Sequence, residues 1–145
     1  MLSIVVMGGL GNQLFQIFTA IAYSIRNKIQ VVLPNYKPDS NERPAYWNSF
    51  LKNLNPILTK KPLRRFSRLS ERSHEYLEIP FRRNNFMLFG YFQSYKYFEN
   101  EFENICKIIR LEEQKHLVRE KMNYDISECI SLHFRIGDYK NIQDV

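Results

Sequence analysis

A short segment near the end of the printed sequence, LHFRIGDY, combines side chains that suit a phosphate-bearing substrate. The run CISLHF predicts a strand, and alternation along a strand places His133 and Arg135 on one face. Gly137 and Asp138 predict a turn at the carboxyl end of that strand, where the guanidinium would emerge. A planar guanidinium forms two charge-assisted hydrogen bonds with phosphate oxygens and opposes the charge that grows on a departing diphosphate. The alternative is structural, with Arg135 paired to Asp138 and His133 buried in the core.

A second segment, MGGLGNQLFQ, lies close to the start of the sequence and is rich in glycine. At the turn between a first strand and a helix, backbone N–H groups and the helix dipole face any ligand, which invites a phosphate site. A dinucleotide fingerprint requires a glycine where Leu14 stands, and a P-loop requires Lys and a hydroxyl where Asn12 and Gln13 stand. Two interpretations stay open: a tight turn with Asn12 as helix N-cap, or a sugar- or phosphate-facing loop that presents the amides of Asn12 and Gln13. The glycines concerned are Gly8, Gly9 and Gly11.

The elements that must position these segments are predicted by apolar periodicity. Residues 2–6 are apolar apart from Ser3 and rich in β-branched side chains, as expected of a central parallel strand, and apolar side chains then recur at helical spacing up to Ile25. With a second strand at residues 30–33, they predict a βαβ unit. Further strands are predicted at residues 75–79, 86–89 and 129–134, and further helices at residues 46–54, between Gly90 and about residue 109, and at residues 111–122.

Strands that alternate with helices predict an α/β fold. We expect a Rossmann-like, three-layer domain with a mainly parallel sheet, occupying residues 1–145 as a single domain. Ligands of such sheets bind at the carboxyl ends of the strands. Both chemistry-bearing segments are predicted to end there.

The composition is that of a soluble globular protein, with 44% hydrophobic and 25% charged residues. A net charge of +6 favours an anionic partner, and a nucleotide phosphate, nucleic acid or a peripheral contact with a membrane surface are the alternatives that charge leaves open. Cys106 and Cys129 lie in apolar surroundings, so both are predicted to be buried free thiols in a reducing compartment. Neither a signal peptide nor a membrane span is recognisable, which predicts a cytoplasmic location.

Positive charge is concentrated in residues 60–72, which carry six basic side chains and one acid, Glu71. We interpret this run as a solvated helix face, with an electrostatic rim for a nucleotide or an anionic glycan as the alternative. Single-stranded nucleic acid is the competing ligand, because the aromatic cluster that follows Gly90 could stack on bases. That cluster is separate from the basic run, which argues against nucleic acid. His74 and His116 lack metal-ligand spacing, so no metal site is predicted.

Taken together, three ordered motifs resemble the α-1,2-fucosyltransferases, a glycosyltransferase family that uses GDP-fucose. The motifs are GGLGNQLFQ near the start, LFGYFQSYKYF at residues 88–98 and HFRIGDY near the end. The HxRxGD pattern is shared more widely among fucosyltransferases, whereas GGxGNQ followed by GYFQ is specific to the α-1,2 group. The resemblance extends over the whole chain and corresponds to about the first half of a family member.

This resemblance implies the N-terminal part of a two-domain GT-B architecture, transfer of fucose to a galactoside or other glycan hydroxyl with inversion, and no required metal. A C-terminal donor-binding domain, with an N-S-x-x-S-W-W-like motif, is then expected to be missing from this sequence. In the roles it implies, Arg135 contacts the β-phosphate and Asn12 lines the cleft near the reacting sugar. The predicted catalytic residues are Arg135, Asn12 and Asp138, and the predicted donor-binding residues are His133, Arg135, Gly137, Gly9, Gly11 and Gln13. The alternative is a non-catalytic module that binds a nucleotide or a glycan.

Overall fold

The computed structural model describes residues 1–35, 44–122, 127 and 129–132. Over these residues the chain forms short parallel strands interspersed with helices. The strands are β1 (Leu2–Ile4), β2 (Leu33–Pro34), β3 (Leu58–Thr59), β4 (Ser67–Ser70) and β5 (Phe86–Phe89). The α-helices are α1 (Leu10–Asn27), α2 (Phe102–Ile108) and α3 (Leu111–Glu120), and 3₁₀ helices span Lys52–Ile57, Tyr95–Tyr97 and Glu99–Glu101.

The strands pair in parallel around β1 and β5. Strand β5 lies between β1 and β4 and runs parallel to both, with Leu2 level with Phe86. The parallel pair β2 and β3 joins the other side of β1 through a bridge between Leu2 and Val31. Two hydrogen bonds reinforce that bridge, from Leu2 N to Gln30 O at 2.8 Å and from Val32 N to Leu2 O at 2.9 Å. Strand β1 therefore has neighbours on both sides, which explains why all of its residues, including the polar Ser3, are fully buried.

Helix α1 begins one turn earlier than the sequence pattern suggested. Its N-cap is Gly9, in extended backbone with φ −73° and ψ 174°, and no side chain caps it. The prediction of Asn12 as N-cap is therefore wrong, because Asn12 already lies within the helix. The helix stops at Lys28, whose left-handed φ of 51° lets its N–H reach the carbonyl of Ile25. Arg26 lies in the last turn, where the negative end of the helix dipole stabilises a cation.

The core forms where α1 packs on the sheet. The Tyr23 ring meets the Phe86 ring edge-on at 5.6 Å, so the face of the sheet that carries Phe86 and its neighbour Leu2 is the one that α1 covers. Nearer the start of α1, the rings of Phe15 and Phe18 pack on the ring of Phe98, at centroid distances of 5.7 and 5.5 Å. These aromatic contacts bring the segment after β5 back onto the helix.

The C-terminal helices close the core from the side. Asn53 Nδ2 donates to the carbonyl of Ile109 at 2.9 Å, and Gln114 Nε2 donates to the carbonyl of Phe50 at 3.2 Å. Ile105 and Ile109 are buried beneath these links. Residues 46–57 and helices α2 and α3 are thereby held as one unit.

Several sequence predictions need correction. Residues 46–54 form turns that lead into the 3₁₀ helix Lys52–Ile57, which contains Pro56, and residues 75–79 form no strand. The predicted second strand is displaced to Leu33–Pro34, and the basic run contains the edge strand β4 instead of a helix. Residues 129–132, predicted as strand, have no assigned secondary structure, and the remainder of that predicted strand lies outside the described residues.

The cysteines also differ from expectation in part. Both are free thiols, but Cys106 is only half-buried and Cys129 is exposed. Partial burial raises the pKa of the Cys106 thiol and so favours its protonated form. The prediction that Cys129 is buried is therefore wrong. The nearby apolar side chains Ile130 and Leu132 are exposed as well.

The described residues thus form a mixed α/β fold built on a small parallel sheet. Strand β1, helix α1 and strand β5 match the predicted order of elements, and α3 matches the predicted helix after residue 111. A search of the helices in the described ranges finds none long and apolar enough to cross a bilayer.

Tyr23 provides a test of how the loop before β5 is anchored to α1. Its hydroxyl donates to the carbonyl of Pro80 at 2.9 Å and accepts from Arg82 N at 3.2 Å, and burial raises its pKa, which keeps it protonated. We expect Tyr23→Phe to lower the free energy of unfolding by about 1 to 2 kcal/mol, because both backbone partners lose their bond. The matched change Tyr95→Phe, on an exposed ring, should stay within about 0.5 kcal/mol in the same urea titration. Equal effects of the two changes would contradict this anchoring role.

Candidate functional site

The candidate site lies at the carboxyl edge of the sheet, where β1 and β5 end side by side. Because the two strands are parallel neighbours, the loops that follow them leave the sheet at the same edge. Each loop contains a glycine in the left-handed region, with φ 79° at Gly8 and φ 155° at Gly90. Residues other than glycine rarely adopt these backbone conformations, so both turns require glycine.

Two buried glutamines hold the first loop against α1. Gln13 Nε2 donates to the carbonyl of Gly8 at 2.9 Å and to the carbonyl of Pro44 at 3.1 Å. Gln16 Oε1 accepts from Met7 N at 2.9 Å. Both glutamine side chains are 1% exposed or less. The amide nitrogen of Gln13 is thus engaged with the backbone, and its predicted contact with a ligand stays a prediction.

Asn12 joins the two loops directly. Its Oδ1 accepts a hydrogen bond of 2.7 Å from Gln93 Nε2, across 81 positions of the sequence. Asn12 is half-buried and Gln93 is exposed. The contact brings together the GGLGNQ segment and the GYFQ segment, which are far apart in the sequence.

Glu71 holds the second loop in place. Its Oε2 accepts from Tyr91 N at 2.7 Å and its Oε1 accepts from Phe92 N at 2.9 Å. Phe92 has an unusual positive φ of 51°, and its buried ring packs edge-on against Tyr97 at 5.3 Å. A Cβ at Gly90 would overlap Glu71, so the glycine is needed for this close approach. The carboxylate therefore fixes the backbone that presents Gln93.

The resulting surface offers paired amide groups beside bare backbone. In the described part of the chain, Asn12 Nδ2, which lies beside Gly8, and Gln93 Oε1 make no hydrogen bond, which leaves one donor and one acceptor without a protein partner. A Cβ built at Gly9 or at Gly11 meets nothing within 4 Å, so the backbone beside the amides is open. Paired donors and acceptors beside open backbone suit the hydroxyl groups of a sugar.

The sequence-predicted site residues divide into two sets. Gly9, Gly11, Asn12 and Gln13 lie together at the N-terminus of α1. The other predicted residues, His133, Arg135, Gly137 and Asp138, lie outside the described residues.

Glu71, Gln16 and the role of Gln93 were not identified from sequence. In the sequence, the position of Gly90 directly after a predicted strand was the one sign that another group approaches the backbone there. The spacing of three between Gln13 and Gln16 was the sign that both side chains lie on the same face of the helix.

The hydroxyl of Tyr97, whose ring packs on Phe92, is held in its neutral form. The Tyr97 hydroxyl accepts from Leu77 N at 3.2 Å, and burial raises the pKa of Tyr97. Within the described ranges, no group of three or more His, Cys, Asp and Glu side chains is placed to hold a metal ion.

Comparisons with protein-family models, with curated proteins and with solved structures found no match to this chain.

Gly8, in the first loop, and Gly11, in the first turn of α1, should respond in opposite ways to substitution. We expect Gly8→Ala to lower the free energy of unfolding by at least about 1 to 2 kcal/mol, because its φ of 79° is unfavourable for alanine and the new methyl would lie 2.7 Å from Asn12 Nδ2. Gly11→Ala should be neutral or stabilise by up to about 1 kcal/mol, since alanine favours the helix and its methyl meets open space. Thermal unfolding of both variants checks the pair. A loss of stability in Gly11→Ala that equals the loss in Gly8→Ala would contradict the described turn.

The role of Glu71 is testable by removing one of its two acceptor oxygens. We expect Glu71→Gln to cost about 1 to 3 kcal/mol of unfolding free energy, because a charge-assisted bond to backbone N–H is lost. Amide hydrogen exchange at Tyr91 and Phe92 should accelerate in the variant. Glu75→Gln, which changes an exposed carboxylate in the same loop, is the control. Unchanged exchange at both amides in Glu71→Gln would show that the carboxylate does not hold the loop.

Proposed function

We propose that this chain is the N-terminal half of an α-1,2-fucosyltransferase-like glycosyltransferase, acting on GDP-fucose and a galactoside or other glycan hydroxyl. One observation carries the proposal: Gln93 Nε2 donates to Asn12 Oδ1 at 2.7 Å, at the carboxyl edge of a parallel sheet. Asn12 belongs to GGLGNQ and Gln93 to GYFQ, the two motifs that resemble the α-1,2 group most specifically. Distant motifs that meet at a ligand-binding edge are expected of one shared substrate cleft.

The proposed fold is the Rossmann-like N-terminal domain of a GT-B architecture. The parallel pairing of β1, β5 and β4, with α1 following β1, supports this assignment. In such a domain the acceptor lies against the loops at the carboxyl edge, and a second domain contributes most of the donor site. The expected partner of the chain is therefore that donor-binding domain.

The proposed reaction exchanges two bonds at the anomeric carbon of fucose. The acceptor hydroxyl oxygen forms a bond to C1 on the face opposite the diphosphate, while the bond from C1 to the phosphate oxygen breaks and releases GDP. The acceptor hydroxyl loses its proton to a base, and the bonding pair leaves with GDP. The transition state resembles an oxocarbenium ion, so the two requirements are stabilisation of the leaving diphosphate and alignment of the hydroxyl.

The roles of the residues follow from these requirements. Arg135 stabilises the β-phosphate of the leaving GDP, and His133 and Gly137 shape the pocket around it. Asp138 is the nearest candidate for the base by motif, and a role in orienting Arg135 is equally consistent with its position in sequence. Asn12 holds the reacting sugars in line through its amide.

The open backbone of the glycine-rich turn has a defined use in this proposal. Gly9 and Gly11 have open space where a Cβ would stand, so a sugar ring can approach the main chain beside Asn12. Gln13 and Gln16 hold the turn from the buried side and leave the exposed side to the substrate.

The proposal is tested by calorimetric titration of the purified chain with GDP, with NAD and with single-stranded RNA. Of these three ligands, we expect only GDP to bind. Arg135→Ala should weaken that binding by on the order of tenfold to a hundredfold, the value of hydrogen bonds to a charged group. Arg119→Ala, which removes an exposed arginine of α3, should leave GDP affinity unchanged.

Three outcomes would contradict the proposal. One is RNA binding that disappears at moderate salt, which indicates non-specific contact with phosphates. Another is no response to GDP. The third concerns any form of the protein that transfers fucose: Arg135→Ala should abolish transfer there, and near-normal turnover would refute the role of the arginine.

A further inference from the structure

The strongest concentration of positive charge lies at the edge of the sheet opposite the candidate site. Leu63 O accepts from Phe66 N at 3.1 Å, which closes a four-residue turn with Arg64 and Arg65 at its tip. The turn leads directly into β4, so it lies at the amino end of that strand. The candidate site lies at the carboxyl ends of β1 and β5, and the two features therefore face in opposite directions along the strands.

The next basic side chain after the turn, Arg68, lies within β4. The strand pairings place Val32, Ser3, Met87 and Arg68 in one row across the sheet, on the face that α1 does not cover. Arg68 lies over the Phe89 ring, with 3.4 Å from its guanidinium carbon to the ring centroid. The basic surface consists of Lys60, Arg64, Arg65 and Arg68, all of them exposed.

The two arginines of the turn form no ion pair with an acidic side chain in the described part of the chain. The ion pairs formed among the described residues join Arg110, Lys115 and His116 to glutamates of α3, so none of them involves Arg64 or Arg65. A hollow of about 470 Å³ opens beside the turn, and none of the described residues that line it is acidic. The positive charge of Arg64 and Arg65 is therefore not offset by an ion pair there.

Apolar side chains lie between the cations. Leu63 and Phe66 are half-buried at the two ends of the turn and line the hollow together with Val32. An interfacial segment of a peripheral membrane protein combines cations, which attract lipid phosphates, with apolar groups that reach the acyl boundary. Binding of single-stranded RNA usually involves several aromatic rings that stack on successive bases, whereas the turn contains one aromatic residue, Phe66. The turn therefore suits a lipid surface better than RNA.

We propose that the basic surface docks the protein on a bilayer that contains anionic phospholipids. The guanidiniums of Arg64 and Arg65 contact the headgroup phosphates, and Leu63 and Phe66 lie at the level of the headgroups. The carboxyl edge of the sheet, with Asn12 and Gln93, then faces away from the lipid. This docking is independent of the proposed fucosyl transfer, because it uses other residues and is measured without substrate.

The test is flotation of the full chain with vesicles of phosphatidylcholine and phosphatidylglycerol, against vesicles of phosphatidylcholine alone. We expect binding to the anionic vesicles alone, weakening as salt is raised. Arg64→Gln with Arg65→Gln should lower the partition coefficient by roughly tenfold to thirtyfold, since each cation near an anionic surface contributes a factor of about three to five. Neither guanidinium makes a hydrogen bond or ion pair to a described residue, so thermal unfolding should confirm that this variant is folded.

The matched control removes the same charge elsewhere. Lys107→Gln with Arg119→Gln takes two exposed cations from α2 and α3 and should retain vesicle binding within about twofold of the unchanged chain. Equal losses in both double variants would overturn the proposal, because they would show a dependence on net charge alone. Equal binding to neutral vesicles, no binding to either kind, or binding of an oligoribonucleotide in place of vesicles would overturn it as well.

Discussion

The parallel pairing of β1 with β5 is the constraint on which the arrangement of this molecule depends. It sets Leu2 level with Phe86 and so fixes where both strands end. Parallel strands end at the same edge, and the loops after them must meet there. The hydrogen bond between Asn12 and Gln93 is a consequence of that register. A shift of the register would separate the two amides and turn the apolar residues of β5 away from α1.

Three side chains convert this register into fixed loop geometry. Gln13 and Gln16 hold the backbone of the first loop, and Glu71 holds the backbone of the second. In each case a polar side chain satisfies backbone groups that neither a helix nor a sheet can satisfy at a turn. These contacts occupy the buried side of each loop. Asn12 and Gln93 are consequently left at the surface, in a position set by groups that no ligand needs to touch.

The sequence predicted the elements that have strong local patterns. Strand β5, helix α3 and the order of β1 and α1 follow from apolar runs and helical spacing, and they lie close to their predicted positions. Strand β4 was missed because its sequence, SRLS, has one apolar residue and lies at an exposed edge, where no alternation is required. The start of α1 was misplaced because its N-cap, Gly9, has no side chain that could cap the helix and so gives no signal in the sequence.

The candidate site was predictable only in part, for a related reason. The glycine-rich turn was recognisable because its residues are adjacent in sequence. The contribution of Glu71 depends on β4 lying next to β5, a contact between distant segments that spacing within either segment cannot reveal. The spacing around Gln13 likewise gave no sign that its amide nitrogen bonds to the carbonyl of Pro44, because Pro44 lies 31 positions away in the sequence.

The position of β4 at the outer side of β5 has a consequence for how the molecule behaves in concentrated solution. Among the described strands, none pairs with the outer edge of β4, so that edge presents backbone groups to which a foreign strand could add. Four arginines lie within or next to this short strand: Arg64, Arg65, Arg68 and Arg72. Two copies approaching edge to edge would bring like charges together. Electrostatic repulsion therefore protects the open edge against strand addition between copies, and the protection weakens as ionic strength rises.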